Sequence, residues 1–281
     1  MYTDSINNNI SKCINELLEN APSHIQKMYN KIKKEVNNSQ ANDIIDTMIV
    51  SSLVPYILLG MQGDEMMDLI FKDNFDKTMK FVKDSKTTYT FDMVLKGQER
   101  NIKRKILIPG STSLNDFCYI VMAAFGVQGS HLYSVEYQGL DFYCDACGDD
   151  EESIIPDIPL TMLEMKKNSK ITVCYDFGDN YEFVAKVSSI NKTDQFLRIE
   201  DIQLLDGQGS DIWEDEHGFL DMYYDGRLTD ELLGQYGLDY TVEDMLDEQN
   251  VEFDLEEASE CFYDDFVILK TIYEDSAESY N

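Results

Sequence analysis

At Lys86 the spacing of apolar residues changes from a helical period to alternation, and that switch limits the fold classes open to this chain. Before it, Ile10, Cys13, Ile14, Leu17 and Leu18 fall on one helical face, and Ala21-Pro22-Ser23 marks a break with Ser23 as the next N-cap. A third helix is expected from Asn42 or Asp43, carrying Ile45, Met48, Ile49, Ser52 and Leu53 on one side. Met66, Met67, Leu69, Ile70, Phe71, Phe75, Met79 and Val82 predict a fourth, whose methionines read as core filling rather than as a partner-binding face.

After Lys86, Tyr89, Phe91, Met93 and Leu95 alternate with polar or smaller residues as in a strand. Lys96-Gly97-Gln98-Glu99 forms the turn, and Ile102 to Ile108 is the returning strand. Ser113-x-x-Asp116 resembles a capping box, opening a helix that ends at Gly126. Strands are expected at His131–Tyr137, Ile171–Tyr175, Tyr181–Val187 and Phe196–Leu205, the last ended by an Asp206–Gly209 turn. Asp141 to Pro159 reads as a long loop, and the chain from the Thr229 cap onward reads as acidic helix. These patterns predict an α+β protein in three parts. Residues 1–86 form a helical N-terminal domain. Residues 87–262 form a mixed, mostly antiparallel sheet domain with a ββαβ, β-grasp-like start. Residues 263–281 form an acidic C-terminal tail.

Charge is distributed as unevenly as periodicity. Residues 1–105 hold 15 basic and 14 acidic side chains, whereas residues 106–281 hold 8 and 40, giving the net −31. Such a back half repels phosphate backbones, so direct nucleic-acid binding is not expected, while a basic protein partner is. No basic segment followed by an apolar run opens the chain. The most apolar stretch, Ile44 to Leu59, is interrupted by Asp46, Thr47, Ser51, Ser52 and Pro55. The expectation is a cytoplasmic protein without a membrane contact, whose six cysteines are reduced thiols and whose N-terminal helices offer a homodimer contact.

Four segments carry a resemblance to a known family. They are Ile106–Leu114, Ala124–Tyr133, the run Tyr175-Asp176-Phe177-Gly178-Asp179-Asn180-Tyr181-Glu182, and the glycine- and acid-rich stretch Asp206–Gly218. In this order they resemble the plasmid pRiA4b ORF-3-like family, or MM3350-like fold, over roughly residues 87–262. The resemblance implies a compact bacterial α+β domain found on plasmids and other mobile elements, some of whose relatives are labelled resolvases. Tyr181-Glu182-Phe183 stands where the family usually has Trp-Glu-His, and Glu216-His217-Gly218 where it has a cysteine followed by glycines.

Serine recombination needs a nucleophilic serine among phosphate-binding arginines, and only Arg100, Arg104, Arg198 and Arg227 occur. The chain therefore reads as a non-enzymatic interaction module with an acidic face, nucleic-acid mimicry being its sharper form. The alternative is a divalent-metal-dependent hydrolase. If the two acidic loops converge, Asp176, Asp179, Glu182, Asp215, His217 and His131 form a candidate pocket suited to Ca²⁺, Mg²⁺ or Mn²⁺. Turn capping and solvation compete with that reading. Cys144-x-x-Cys147 has the spacing of half a zinc site, but no second pair follows, which ranks zinc below the hard cations.

Overall fold

The computed structural model describes residues 21–37, 40, 41, 43–45, 47–49, 52, 63–145, 153–249 and 252–279. The expected helix at Ile10–Leu18 and the thiol of Cys147 lie outside them. The chain divides into two compact units, Met1–Lys86 with Thr193–Leu197, and Thr87–Lys192 with Arg198–Asn281. Among the described residues, no helix is long and apolar enough to cross a membrane.

The first unit is helical. Helix α1 spans Ser23–Glu35 and α2 spans Gly63–Asp84, with further helical residues between 40 and 52. Pro22, not Ser23, holds the cap position of α1, because its carbonyl already accepts the Gln26 amide at 3.1 Å. The next helix also begins earlier than Asn42. Asn37 Oδ1 accepts the Gln40 amide at 2.9 Å, which caps it three residues upstream. Ile25, Ile32, Ile45, Ile70, Phe71 and Val82 fill the core, and Phe196 joins them from the 193–197 segment, its ring 5.8 Å from that of Phe81.

The second unit is built on seven strands. They are β1 (Thr87–Leu95), β2 (Lys103–Pro109), β3 (Tyr133–Tyr137), β4 (Leu140–Tyr143), β5 (Lys170–Tyr175), β6 (Tyr181–Lys192) and β7 (Gln203–Gln208). Their order is β4-β3-β5-β6-β1-β2-β7, and every pairing is antiparallel. The ββαβ start is present, with β5 and β6 lying between β3 and β1. Alternation does what it predicts: Tyr89, Phe91, Met93, Ile106, Ile171, Val173, Phe183 and Ala185 all face the core.

Helix α3 (Leu114–Ala124) packs against the sheet, with Ser113 Oγ accepting the Asp116 amide at 3.0 Å. Nine of its eleven residues are buried, because a long helix, Leu255–Ser279, covers its other side. Three short helices precede that cover: α4 (His217–Tyr224), α5 (Asp230–Gln235) and α6 (Val242–Glu248), and the cover itself is α7. Lys270 of α7 reaches Asp116 of α3 at 2.8 Å.

Two expectations for the second unit also change. The strand expected at Phe196–Leu205 starts only at Gln203 and runs on to Gln208, through most of the predicted turn. Ahead of it, Asp201 accepts the Arg198 amide at 2.7 Å and closes a 3₁₀ turn over Ile199–Asp201. The loop expected at Asp141–Pro159 begins as strand, since residues 140–143 pair with β3 to form the sheet edge.

One core-facing position on β2 is charged. Arg104 is 2 % exposed and spends all its donors on the chain. Nε donates to the Ala124 carbonyl at 2.7 Å, Nη1 to those of Lys103 and Gln208 at 2.8 Å, and Nη2 to Ser210 O at 3.0 Å and Asp211 Oδ1 at 2.9 Å. Its guanidinium lies over the Phe125 and Phe253 rings, 5.4 and 4.4 Å from their centroids. Gly126 belongs to the same knot. Its φ is +72°, and a Cβ there would stand 2.5 Å from the Asp211 side chain.

Arg104→Ala should cost about 3–5 kcal/mol in urea unfolding, because it strands a carboxylate and four carbonyls. Arg104→Lys should recover only a fraction, lacking the planar fork. Ser113→Ala, losing one cap, should cost about 1 kcal/mol in the same assay.

Candidate functional site

Three loops meet at one end of the sheet, and pairing order explains why. Because β3 lies beside β5, the segment entering β3 runs next to the turn leaving β5, and the Asp176 amide donates to Leu132 O at 3.0 Å. That turn closes through Asn180 N to Asp176 O at 2.5 Å, with Asp176 and Asn180 both left-handed at φ 54° and 56°. Asp176 Oδ1 accepts the Gly178 amide at 2.9 Å, so one of its oxygens serves the turn.

The acid-rich run arrives through separate stitches. Ile212 N donates to Phe125 O at 3.0 Å, Gln128 N to Glu214 Oε1 at 2.7 Å, and Tyr181 OH to Trp213 O at 2.5 Å. Trp213 is fully buried, which anchors the run beneath its charges. Tyr175 joins all the parts: its hydroxyl accepts the Ser130 amide at 3.0 Å and donates to Glu214 at 2.9 Å. Burial, and then the Glu214 charge beside it, push the Tyr175 phenol well above its ordinary range, so it remains a donor. Tyr273 of α7 donates to His131 O at 2.5 Å and fixes the residue at the centre.

His131 Nε2 faces three carboxylates. Asp215 Oδ1 lies at 3.0 Å, Asp176 Oδ2 at 3.6 Å and Glu214 Oε2 at 3.9 Å. The nitrogen is buried and makes no hydrogen bond, although Asp215 is close. One ligand atom each from His131, Asp176 and Asp215 fall within 4.8 Å of one another. Asp176 and Glu214 are mostly enclosed, at 10 % and 12 % side-chain exposure, whereas Asp215 stands in solvent at 72 %.

Of the six pocket residues expected from sequence, the structure therefore gathers His131, Asp176 and Asp215. Asp179 and His217 are bound to each other: His217 N donates to Asp179 Oδ2 at 3.1 Å, and His217 Nδ1 lies 2.7 Å from Asp179 O. The His217 ring stacks on Tyr181 at 4.2 Å. Glu182 pairs with Lys96, on the opposite side of β6 from Tyr181. Cys144 is buried, its amide donating to Tyr133 O at 3.0 Å, and its expected partner Cys147 lies outside the described residues. Glu214, from the acid-rich run expected to meet the turn, and Tyr175, from the motif that carries the family resemblance, complete the site together with Tyr273. Only Tyr273, on a distant helix, left no local signal in the sequence.

A search of curated proteins found no match. Among solved structures, the chain is similar to a protein of unknown function, MM3350, from Methanosarcina mazei Go1. The two share 19 % identity over 62 % of this chain and 98 % of that one, with a TM-score of 0.46. The model of the family described as plasmid pRiA4b ORF-3-like protein matches residues 87–259, more than half of the 281. The sequence resemblance is thereby established: the chain belongs to the plasmid pRiA4b ORF-3-like family.

Proposed function

We propose that this chain is a non-enzymatic binding module whose acidic surface takes a basic protein partner. One observation carries the reading. Residues 206–279 contain 24 acidic side chains against two basic ones, Arg227 and Lys270. Both bases already have acidic neighbours, Asp225 at 2.7 Å and Asp116 at 2.8 Å. Arg104 holds Asp211 from outside the segment, but the acidic side chains still far outnumber the bases, and a basic protein supplies the missing positive charge. The plasmid in the family's description supports a place in mobile-element or phage biology, where nucleic-acid mimicry toward a DNA- or RNA-binding protein is the sharper form of the same role.

Association with a lysine-rich protein such as histone H1 should be tight in 20 mM salt. It should weaken by at least tenfold at 300 mM, as the screening length contracts to about 5–6 Å. Equal affinity at both salts would count against the reading. Duplex DNA competing for the same partner would support mimicry, and indifference to DNA would remove it.

The orphaned His131 nitrogen favours a second reading of the loop cluster. A neutral imidazole and two carboxylates suit a divalent cation such as Mn²⁺ or Mg²⁺ better than a thiolate-seeking metal. His131 and Asp176 would hold the ion from the enclosed side and Asp215 from the solvent side. At a hundred times its Kd the ion would add ~2.7 kcal/mol. That corresponds to a melting temperature raised by roughly 5–10 °C. Asp215→Asn should abolish the rise, and a melting curve unmoved by Mn²⁺, Mg²⁺ and Ca²⁺ would overturn the reading.

A further inference from the structure

The turn that carries Asp176 also carries an aromatic ring with no place in the core. Phe177 is 47 % exposed, and Tyr143, 37 % exposed at the end of the edge strand, meets it edge-on at 6.2 Å. Leu132 is 40 % exposed, and its carbonyl is the one that accepts the Asp176 amide. Three large apolar side chains thus gather at one end of the sheet, where scattered exposure of single residues would need no explanation. The loops around them, residues 127–132, 176–180 and 209–217, contain Asp176, Asp179, Asp211, Glu214, Asp215 and Glu216 and no lysine or arginine.

We infer that Leu132, Tyr143 and Phe177, with the exposed carboxylate of Asp215 beside them, form the docking site for a basic partner segment in which cationic and apolar side chains alternate. The inference rests on the proposed basic-partner function and gives it an address. Charge complementarity selects the cation, as Asp215 stands in solvent, 72 % exposed, among loops that carry no lysine or arginine. Apolar contact selects its neighbour, since aromatic anchors beside a charged rim are what bound peptides bury. A guanidinium suits this geometry well, because its planar face also stacks on the exposed rings while its edge meets a carboxylate. The segment seats on side chains and does not extend the sheet. At this end of β4 the Tyr143 carbonyl already accepts the Ile155 amide at 3.0 Å and is not offered to an added strand.

The test uses the full chain and two fluorescein-labelled octapeptides of equal charge, one alternating arginine with leucine and the other arginine with serine. Fluorescence anisotropy in 50 mM salt should show the leucine peptide binding about tenfold more tightly, from partial burial of its apolar side chains. Tyr143→Ser with Phe177→Ser should bring the ratio below about twofold, weakening the leucine peptide much more than the serine peptide, which loses only the stacking of its guanidinium groups. Phe177→Ser alone, at an exposed turn, is the fallback if the double variant melts early, and it should remove part of the preference. Asp215→Asn, at an exposed position, should weaken both peptides. Charge-removing substitutions on α7, Glu256→Gln with Glu260→Gln, should leave the ratio intact. Equal binding of the two peptides, or a preference left undiminished by the Phe177 change, overturns the docking site and leaves the basic-partner reading standing. Failure of both peptides to bind overturns the two together.

Discussion

A single guanidinium determines how the second unit can be assembled. Arg104 occupies a core position on β2, and a cation there is tolerable only if every donor finds an acceptor. The acceptors come from distant parts of the chain: the last turn of α3, the end of β7, and Ser210 and Asp211 beyond it. Satisfying one side chain therefore brings together a helix terminus, a sheet edge and the beginning of the acid-rich run. The carbonyl of Ala124 would otherwise be an orphan of the helix end, so the arginine also acts as a C-cap supplied from another element. Phe125 and Phe253 close over the guanidinium and leave water little access to the knot.

From that knot the acid-rich run is led along the end of the sheet with little freedom. Asp211 is committed to Arg104, Trp213 to the core, and Glu214 to Tyr175 and Gln128. Asp215 is the residue left facing outward, at φ 60°, against His131. The run's charges thus differ in what they can do. Asp211 and Glu214 hold the structure together, while Asp215 is available to something arriving from solvent.

Sequence reading reached the strands most easily where one face is buried, because strict alternation, as in Tyr89–Leu95 or Ile171–Tyr175, has a single physical cause. It was weaker where tertiary contacts choose the conformation. Phe196 reads as the start of a strand, yet it packs in the helical unit, and the Arg198–Asp201 turn intervenes before β7. β4 was hidden because Asp141 and Leu140 are exposed and carry no core pattern. At the site, His131, Asp176 and Asp215 were legible as residue types near turns. Asp179 and His217 were chosen on the same grounds and instead satisfy one another, a pairing that spacing along the chain does not encode. Arg104, read only as one of four scattered arginines, shows the limit most plainly. Its role depends on acceptors up to 107 positions away.

The burial of α3 between sheet and α7 has a consequence for biosynthesis. Its outer face consists of apolar residues that Leu255–Ser279 covers, and these are translated only after all seven strands of the sheet. Until they emerge, a nearly complete sheet carries a greasy, unshielded helix, and the nascent chain depends on holding proteins or on speed to avoid association. The dense negative charge of residues 206–254, translated just before the cover, lets partly made chains repel one another during that interval. The same acidity thus acts as an intramolecular solubiliser while the protein is being made.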